Sequence, residues 1–257
     1  MVSAHAISDA GPVRKNNEDA CALEPELQLY AVADGMGGHS AGEIASRLAI
    51  EALVGFMRRS HGMAEDVSWP YGIDPALSFD GNRLRTAINL ANRRVHRAAE
   101  SHDDYTGMGT TMASVVIAGG RLIVGSVGDS RVYLMADGRL SQLTQDDTWA
   151  ATVLAHQTQP PDAAALAHHP MRHVLTNVLG AREQVSAHMA EYDLRGGECL
   201  LLCSDGLHGV LGDDRLRDVL LERPDVREAA EQLVGEALAA GTRDNVTAMV
   251  VRYEGIP

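Results

Sequence analysis

The sequence predicts an α+β layered domain built on antiparallel sheets. Two patterns carry that expectation. Long amphipathic helix patterns come in pairs, 41–59 with 82–100 and 213–222 with 225–240. Apolar strand patterns come in hairpin-like runs, as at 111–118, 121–127, 131–136 and 139–143. A doubly wound parallel sheet would instead alternate strand and helix along the chain. No repeat, low-complexity tract or linker divides the 257 residues, so one domain spanning 1–257 is expected.

The elements follow in order. Strands are expected near 2–8, 19–24 and 27–33. A helix from Ala41 to Arg59 places Ile44, Leu48, Ala49, Ala52, Leu53 and Phe56 at helical spacing. The polar, proline-containing stretch 60–80 reads as a loop. The next helix, 82–100, aligns Leu84, Ile88, Ala91, Val95 and Ala98 on one face. After the strand run, 145–172 reads as irregular or weakly helical and is interrupted by Pro160-Pro161. Strands near 186–193 and 198–204, the second helix pair and a last strand near 246–253 complete the chain.

Composition narrows the function classes. Hydrophobic content of 45% and charged content of 22% are those of a globular protein. No apolar stretch is long enough to cross a bilayer, and the first twenty residues lack an apolar signal core, so a cytoplasmic protein is expected. Cys21, Cys199 and Cys203 are read as reduced packing thiols rather than a disulfide or nucleophile. A net charge of −13 and 4% aromatic residues argue against nucleic acid as a partner. The same acidity suits cation capture, while an anionic substrate would need local positive charge.

Three acidic signatures stand beside apolar runs. "LYAVADG" ends at Asp34-Gly35, "LLLCSDG" ends at Asp205-Gly206, and "DNVTAMVV" opens at Asp244-Asn245. Carboxylates crowded at buried strand ends repel one another and lose solvation. Hard divalent cations relieve both problems and prefer oxygen ligands. Asp-Gly is also a common turn dipeptide. Asp80-Gly81 reads as one such turn and Asp137-Gly138 as a hairpin turn. Alone, "RKNNED" (14–19) is an exposed charged turn, and Asp129 in "SVGDSRVYL" sits in a hairpin turn. The glycine-rich 33–43 segment matches neither nucleotide-binding pattern. The residues point to a cation centre assembled from distant segments, with its chemistry open.

The order of these segments resembles the metal-dependent protein phosphatases of the type 2C (PPM) class in their bacterial form. The segments are "RKNNED", "VADGMGGHSAGEIAS", "MGTT", "VGDSRVY", "LTQDDT", "LTNVLG", "LLCSDGL" and "GTRDNVTAMVV", and they cover essentially the whole chain. The resemblance implies an antiparallel β-sandwich flanked on both faces by antiparallel helices. It implies a serine/threonine phosphoprotein phosphatase that opposes a cognate Ser/Thr protein kinase, acts as a monomer, and uses two Mn²⁺ or Mg²⁺ ions with a third position. On the matched residues, Asp34 would bridge two ions and the Gly35 carbonyl would bind one. Asp205 and Asp244 would bind the other, and Asp129 with Asp205 the third. Glu18 and Asp19 would hold ion-bound waters, and Asn245 would support the ligands. Arg14 would bind the substrate phosphate, and a water shared by the ions would attack phosphorus. Residues 149–170 would form a flap. Met36 stands where some relatives carry a histidine proposed as general acid, and His39 is read as helping the turn into the helix. His168, His169 and His173 read as exposed polar residues rather than a zinc site.

Overall fold

The protein is described here by a computed structural model covering residues 1–38, 41–63, 69–156 and 169–255. One sheet has the order β1 (Val2–Asp9), β11 (Val246–Tyr253), β10 (Glu198–Cys203), β7 (Arg131–Ala136), β8 (Arg139–Gln142). The other has the order β2 (Asp19–Glu24), β3 (Leu29–Met36), β5 (Met112–Ala118), β6 (Arg121–Val127), β9 (His188–Asp193), with the short β4 (Gly109–Thr110) against the end of β3. Neighbouring strands pair antiparallel throughout.

Three apolar layers tie the elements together. Tyr30, Val32, Val115 and Val124 of one sheet meet Val132, Leu200, Leu202, Met249 and Val251 of the other. The opposite face of the β3 sheet, including Leu29 and Ala31, packs on α1 (Ala41–Arg59) and α2 (Phe79–Ser101) through Leu53, Leu84, Ile88 and Val95. The outer face of the β10 sheet, with Leu201 and Val250, packs on two further helices. They are α5 (Asp213–Glu222) and α6 (Val226–Ala239), which contribute Leu216, Leu220 and Leu233. The result is helix, sheet, sheet, helix, as expected from the paired helices and hairpin-like strands.

Local differences from the sequence reading have local causes. Pro25 starts a 3₁₀ turn through Leu27, and Gln28 adopts a left-handed φ of 49°, so β3 begins at Leu29 rather than near 27. β3 runs on to Met36 because Gly35 and Met36 pair with Thr110 and Gly109. The second helix starts at Phe79, where the Ser78 hydroxyl accepts from the Gly81 amide at 3.0 Å. Asp80-Gly81 is therefore a helix first turn, not a free turn. Asp137 (φ 49°) and Gly138 (φ 74°) do form the β7–β8 hairpin turn. Asp129 does not lie in a hairpin: β6 pairs with β5 and β9, β7 pairs with β10 and β8, and the 128–130 connection crosses between sheets. A strand pattern on each side of a Gly-Asp looks the same whether the strands pair or part.

Within the expected flap, α3 (Trp149–His156) is helical. Residues 157–168, with Pro160-Pro161 and His168, lie outside the described residues, as does His39. Among the described residues no helix is long and apolar enough to cross a membrane. All three cysteines are unpaired, and burial pushes the Cys199 thiol up to about 11 and raises that of Cys203, so neither is an activated nucleophile.

Candidate metal centre

The acidic residues meet at one end of the space between the sheets. In β2 and β3, Asp19 and Asp34 are directly paired across the strands. Alternation along β3 puts Tyr30, Val32 and Asp34 on the same inward face. Asp205 opens the short helix α4 (Asp205–His208) immediately after β10, and Asp244 precedes β11, the neighbour of β10. Asp34 and Asp205 lie close enough for their carboxyl groups to shift each other's protonation.

Close backbone approaches hold these carboxylates together. A Cβ on Gly35 would run into the Gly42 carbonyl, and the Gly35 amide donates to Glu18 O at 3.1 Å. A Cβ on Gly206 would strike the Asn245 carbonyl. Only glycine lets these segments touch. Asn245 secures the N-terminal loop: its Nδ2 donates to Ala10 O and Asn16 O at 2.9 Å, and its Oδ1 accepts from Glu18 N at 2.8 Å. This connection brings Arg14, Glu18 and Asp19 beside the C-terminal Asp244.

Hydroxyl groups form the floor. Asp19 Oδ2 accepts from Ser204 Oγ at 2.8 Å and Thr247 Oγ1 at 2.6 Å. Thr111 Oγ1 accepts from Asp34 N at 2.9 Å and hydrogen-bonds Ser130 Oγ at 2.6 Å. Asp19 Oδ1 and Asp205 Oδ1, by contrast, are buried without a hydrogen-bond partner. Buried carboxylate oxygens left unpaired are costly. A divalent cation satisfies them, and this donor set consists of the hard oxygens that Mg²⁺ and Mn²⁺ prefer.

The protonation equilibria agree. Burial first, then repulsion from Asp205 and Asp244, pushes Asp19 up to about 6 against the pull of the two hydroxyls. Burial raises Asp34 well above the usual range, reinforced by Asp19, Asp205, Asp244 and Asp129. Asp205 is raised for the same leading reason. Asp129, 6% exposed, is pushed by burial and Asp205 up to about 7. Burial also raises Glu18, while Arg14 pulls it down. Without cations these groups keep their protons to higher pH than ordinary carboxylates do. Among the described residues no three acidic, His or Cys side chains form a ready-made cage around one point. An ion here would complete its shell with carbonyl and water oxygens, as Mg²⁺ commonly does.

Arg14 is paired with Asp244, NH2 to Oδ2 at 2.5 Å, so the expected phosphate-binding arginine touches an expected ligand. Val13, Arg14, Asp129, Asp205 and Asp244 line one cleft of about 980 Å³. In the wall of the same cleft, Arg131 binds Asp146 through both Nε and NH2, and His208 Nε2 is 3.0 Å from Asp129 O. Burial lowers His208 to about 4, leaving it neutral. Sequence reading missed Thr111, Ser130, Ser204, Thr247, Arg131 and His208. For the four hydroxyls a signal existed: each continues the inward parity of an apolar strand pattern. Met36 is 40% exposed, and His169 stacks on Trp149 at 4.2 Å. His173 lines the cleft away from any three-residue cluster among the described residues.

Residues 13–244 match the family model described as protein phosphatase 2C. The chain belongs to that family. The serine/threonine protein phosphatase PstP of Mycobacterium tuberculosis is 38% identical over 245 residues, 95% of this chain and 44% of PstP. This chain thus spans under half the length of that relative. The serine/threonine phosphatase stp of Listeria welshimeri is 30% identical, with 95% of this chain and 93% of stp covered. A crystal structure of the PstP catalytic domain in complex with two manganese ions superposes with a TM-score of 0.81 at 35% identity, covering 99% of both chains. The 2C-family fold expected from the motifs is the fold observed.

Proposed function

We propose that this 2C-family chain is a divalent-cation-dependent serine/threonine phosphoprotein phosphatase that hydrolyses phosphomonoesters of protein substrates. The observation that carries the reading is the convergence of Asp19, Asp34, Asp205 and Asp244 from separate segments into one mutually interacting group, with two buried carboxylate oxygens unpaired. The manganese-bound PstP neighbour supports the same chemistry.

On this reading Asp34, with the Gly35 carbonyl, and the pair Asp205 and Asp244 hold two Mn²⁺ or Mg²⁺ ions. Glu18 and Asp19 act through ion-bound waters, and Asp129 with Asp205 supplies a third position. Such ions, when bound, supply an acidified water at neutral pH and charge compensation for the phosphoryl oxygens. Arg14 orients the phosphoryl group. Its guanidinium has five donors, so the contact with Asp244 fixes the side chain at the cleft and leaves donors for phosphate oxygens. Asn245 positions the Arg14–Asp19 loop. Ser204 and Thr247 keep Asp19 oriented. Met36 has no proton to give to the leaving oxygen. The phosphoresidue implies a serine/threonine protein kinase as counterpart, and the three unpaired cysteines suit a reducing compartment such as cytoplasm.

Phosphate release from a phosphothreonine peptide tests the reading. Release with Mn²⁺ that disappears with EDTA and in Asp205→Asn is the expected result. Persistence of release in EDTA would refute cation dependence.

A further inference from the structure

The cleft is larger than a phosphoryl group needs. At about 980 Å³ it lies at the upper end of the range for ligand-binding clefts. Its wall beyond the carboxylates has two distinct parts. Val13, Leu154 and Val210 are 54%, 52% and 39% exposed, although large apolar side chains elsewhere are mostly buried. They come from three segments far apart in sequence, and all three line this cleft. Their convergence on this cleft is a product of the fold and presents exposed apolar side chains to its interior.

The second part is cationic. Arg172 and Arg243 also line the cleft and are exposed. Among the described residues neither has an ion-pair partner, whereas Arg14 and Arg131 in the same cleft are neutralised by Asp244 and Asp146. Arg172 and Arg243 are thus the arginines of this cleft whose donors are not committed to a carboxylate among the described residues. Uncommitted guanidinium donors beside an anion-processing centre favour anionic groups next to the reacting one.

We propose that the cleft recognises its phosphoprotein as an extended segment bearing two flanking features: an apolar side chain seated on Val13, Leu154 and Val210, and a second anionic group held by Arg172 and Arg243. This rests on the phosphatase reading for the identity of the central group. The anionic group is a carboxylate or a second phosphoryl group, which share the charge and the oxygen acceptors that an arginine fork binds.

The test uses fluorescent peptides in which a non-hydrolysable phosphonate replaces phosphothreonine, read by anisotropy with Mn²⁺ present. Leucine and aspartate are scanned through three positions on either side against an alanine background. At their preferred positions each tightens binding about 3- to 10-fold. Arg172→Ala with Arg243→Ala removes the aspartate gain and keeps the leucine gain, and the corresponding double lysine variant restores part of it. Leu154→Ala with Val210→Ala does the converse. Raising salt from about 0.05 M to about 0.5 M shrinks only the aspartate gain, since exposed charges are screened and apolar contacts are not. Replacing aspartate by phosphoserine separates the two anion sources: an equal gain assigns a general anion site, a larger one a phosphoryl site. A flat response at every position, or arginine variants that weaken all peptides equally, would overturn the proposal. Mn²⁺-dependent hydrolysis of p-nitrophenyl phosphate is measured in parallel. Its absence alongside intact peptide selectivity would bring down the catalytic reading and leave the recognition surface standing.

Discussion

Two layers of the same strands invite comparison. In the middle of the sandwich the inward positions are Tyr30 and Val32, Leu200 and Leu202, Met249 and Val251. Two residues further toward one end, the same parity carries Asp34 on β3, Asp19 on β2, Ser204 after β10 and Thr247 on β11. Ser204 and Thr247 are 0% exposed, as is Leu202. Burial is equal and its energetic meaning is opposite. The apolar layer is complete in itself, each buried Leu or Val contributing about 1.5–3 kcal/mol. The polar layer is incomplete, because two hydroxyls satisfy Asp19 Oδ2 while Asp19 Oδ1 and Asp205 Oδ1 find no partner. One set of strands thus supports stability at its centre and holds a cation-seeking deficit at its end, with a boundary one pleat wide.

Changes in either layer would sharpen that contrast. Asp205→Asn has the largest expected effect on activity, about 10³-fold in Mn²⁺-dependent kcat/KM, since it removes charge where charge compensation is organised. Yet it should not lower the thermal midpoint of the metal-free protein, because it also removes a buried like charge. A clear drop in that midpoint would show that the carboxylate stabilises the fold. Leu202→Ala in the adjacent layer reverses the pattern, costing about 2–5 kcal/mol in urea unfolding. Turnover per folded molecule should stay within about threefold of wild type.

Gly35→Ala tests the boundary itself. The added methyl meets the Gly42 carbonyl, so a loss of about 1–3 kcal/mol is expected together with loss of Mn²⁺ affinity in calorimetry. Retained affinity would mean that the β3–α1 approach does not shape the site.

The pH dependence is a smaller effect. Asp19 is pushed up to about 6 and Asp129 to about 7, both above the ordinary carboxylate value of 3.8. The metal-free folded state therefore binds more protons than the unfolded chain between pH 4 and 7. Its stability should fall as pH rises through that window, so the thermal midpoint should be lower at pH 7.5 than at pH 5. Mn²⁺ should flatten the trend by favouring the ionised carboxylates, and scanning calorimetry with and without the ion measures it. Smallest of all, His169→Ala with His173→Ala should leave Mn²⁺-dependent turnover within about threefold, whereas a zinc-type role for these histidines would abolish it.

Much of this was legible from local pattern. The helices on both faces announced themselves by spacing, and the strands by apolar runs. The acidic residues stood out because Asp34, Asp205 and Asp244 sit at the edges of those runs. The hydroxyls did not, since Ser204 or Thr247 next to a strand is unremarkable until both reach the same carboxylate oxygen. Asp129 was misplaced into a hairpin because sequence adjacency carries no information about which sheet a strand joins. Arg131 and Asp146, fifteen residues apart, became a pair only when β7 and the segment after β8 were set side by side.

By itself the sequence determined the alternation that buries one face of each strand, the helical stripes that cover the sheets, and the order of motifs that marks the 2C family. These depend on neighbours within a few residues, where periodicity and turn chemistry act. Only the tertiary structure decided that Arg14 meets Asp244, that Asn245 secures the loop carrying Glu18, and that Val13, Leu154, Val210, Arg172 and Arg243 share one cleft. Those contacts join residues up to 230 apart in the chain, and the energy of bringing them together comes from the apolar layers rather than from the contacts themselves.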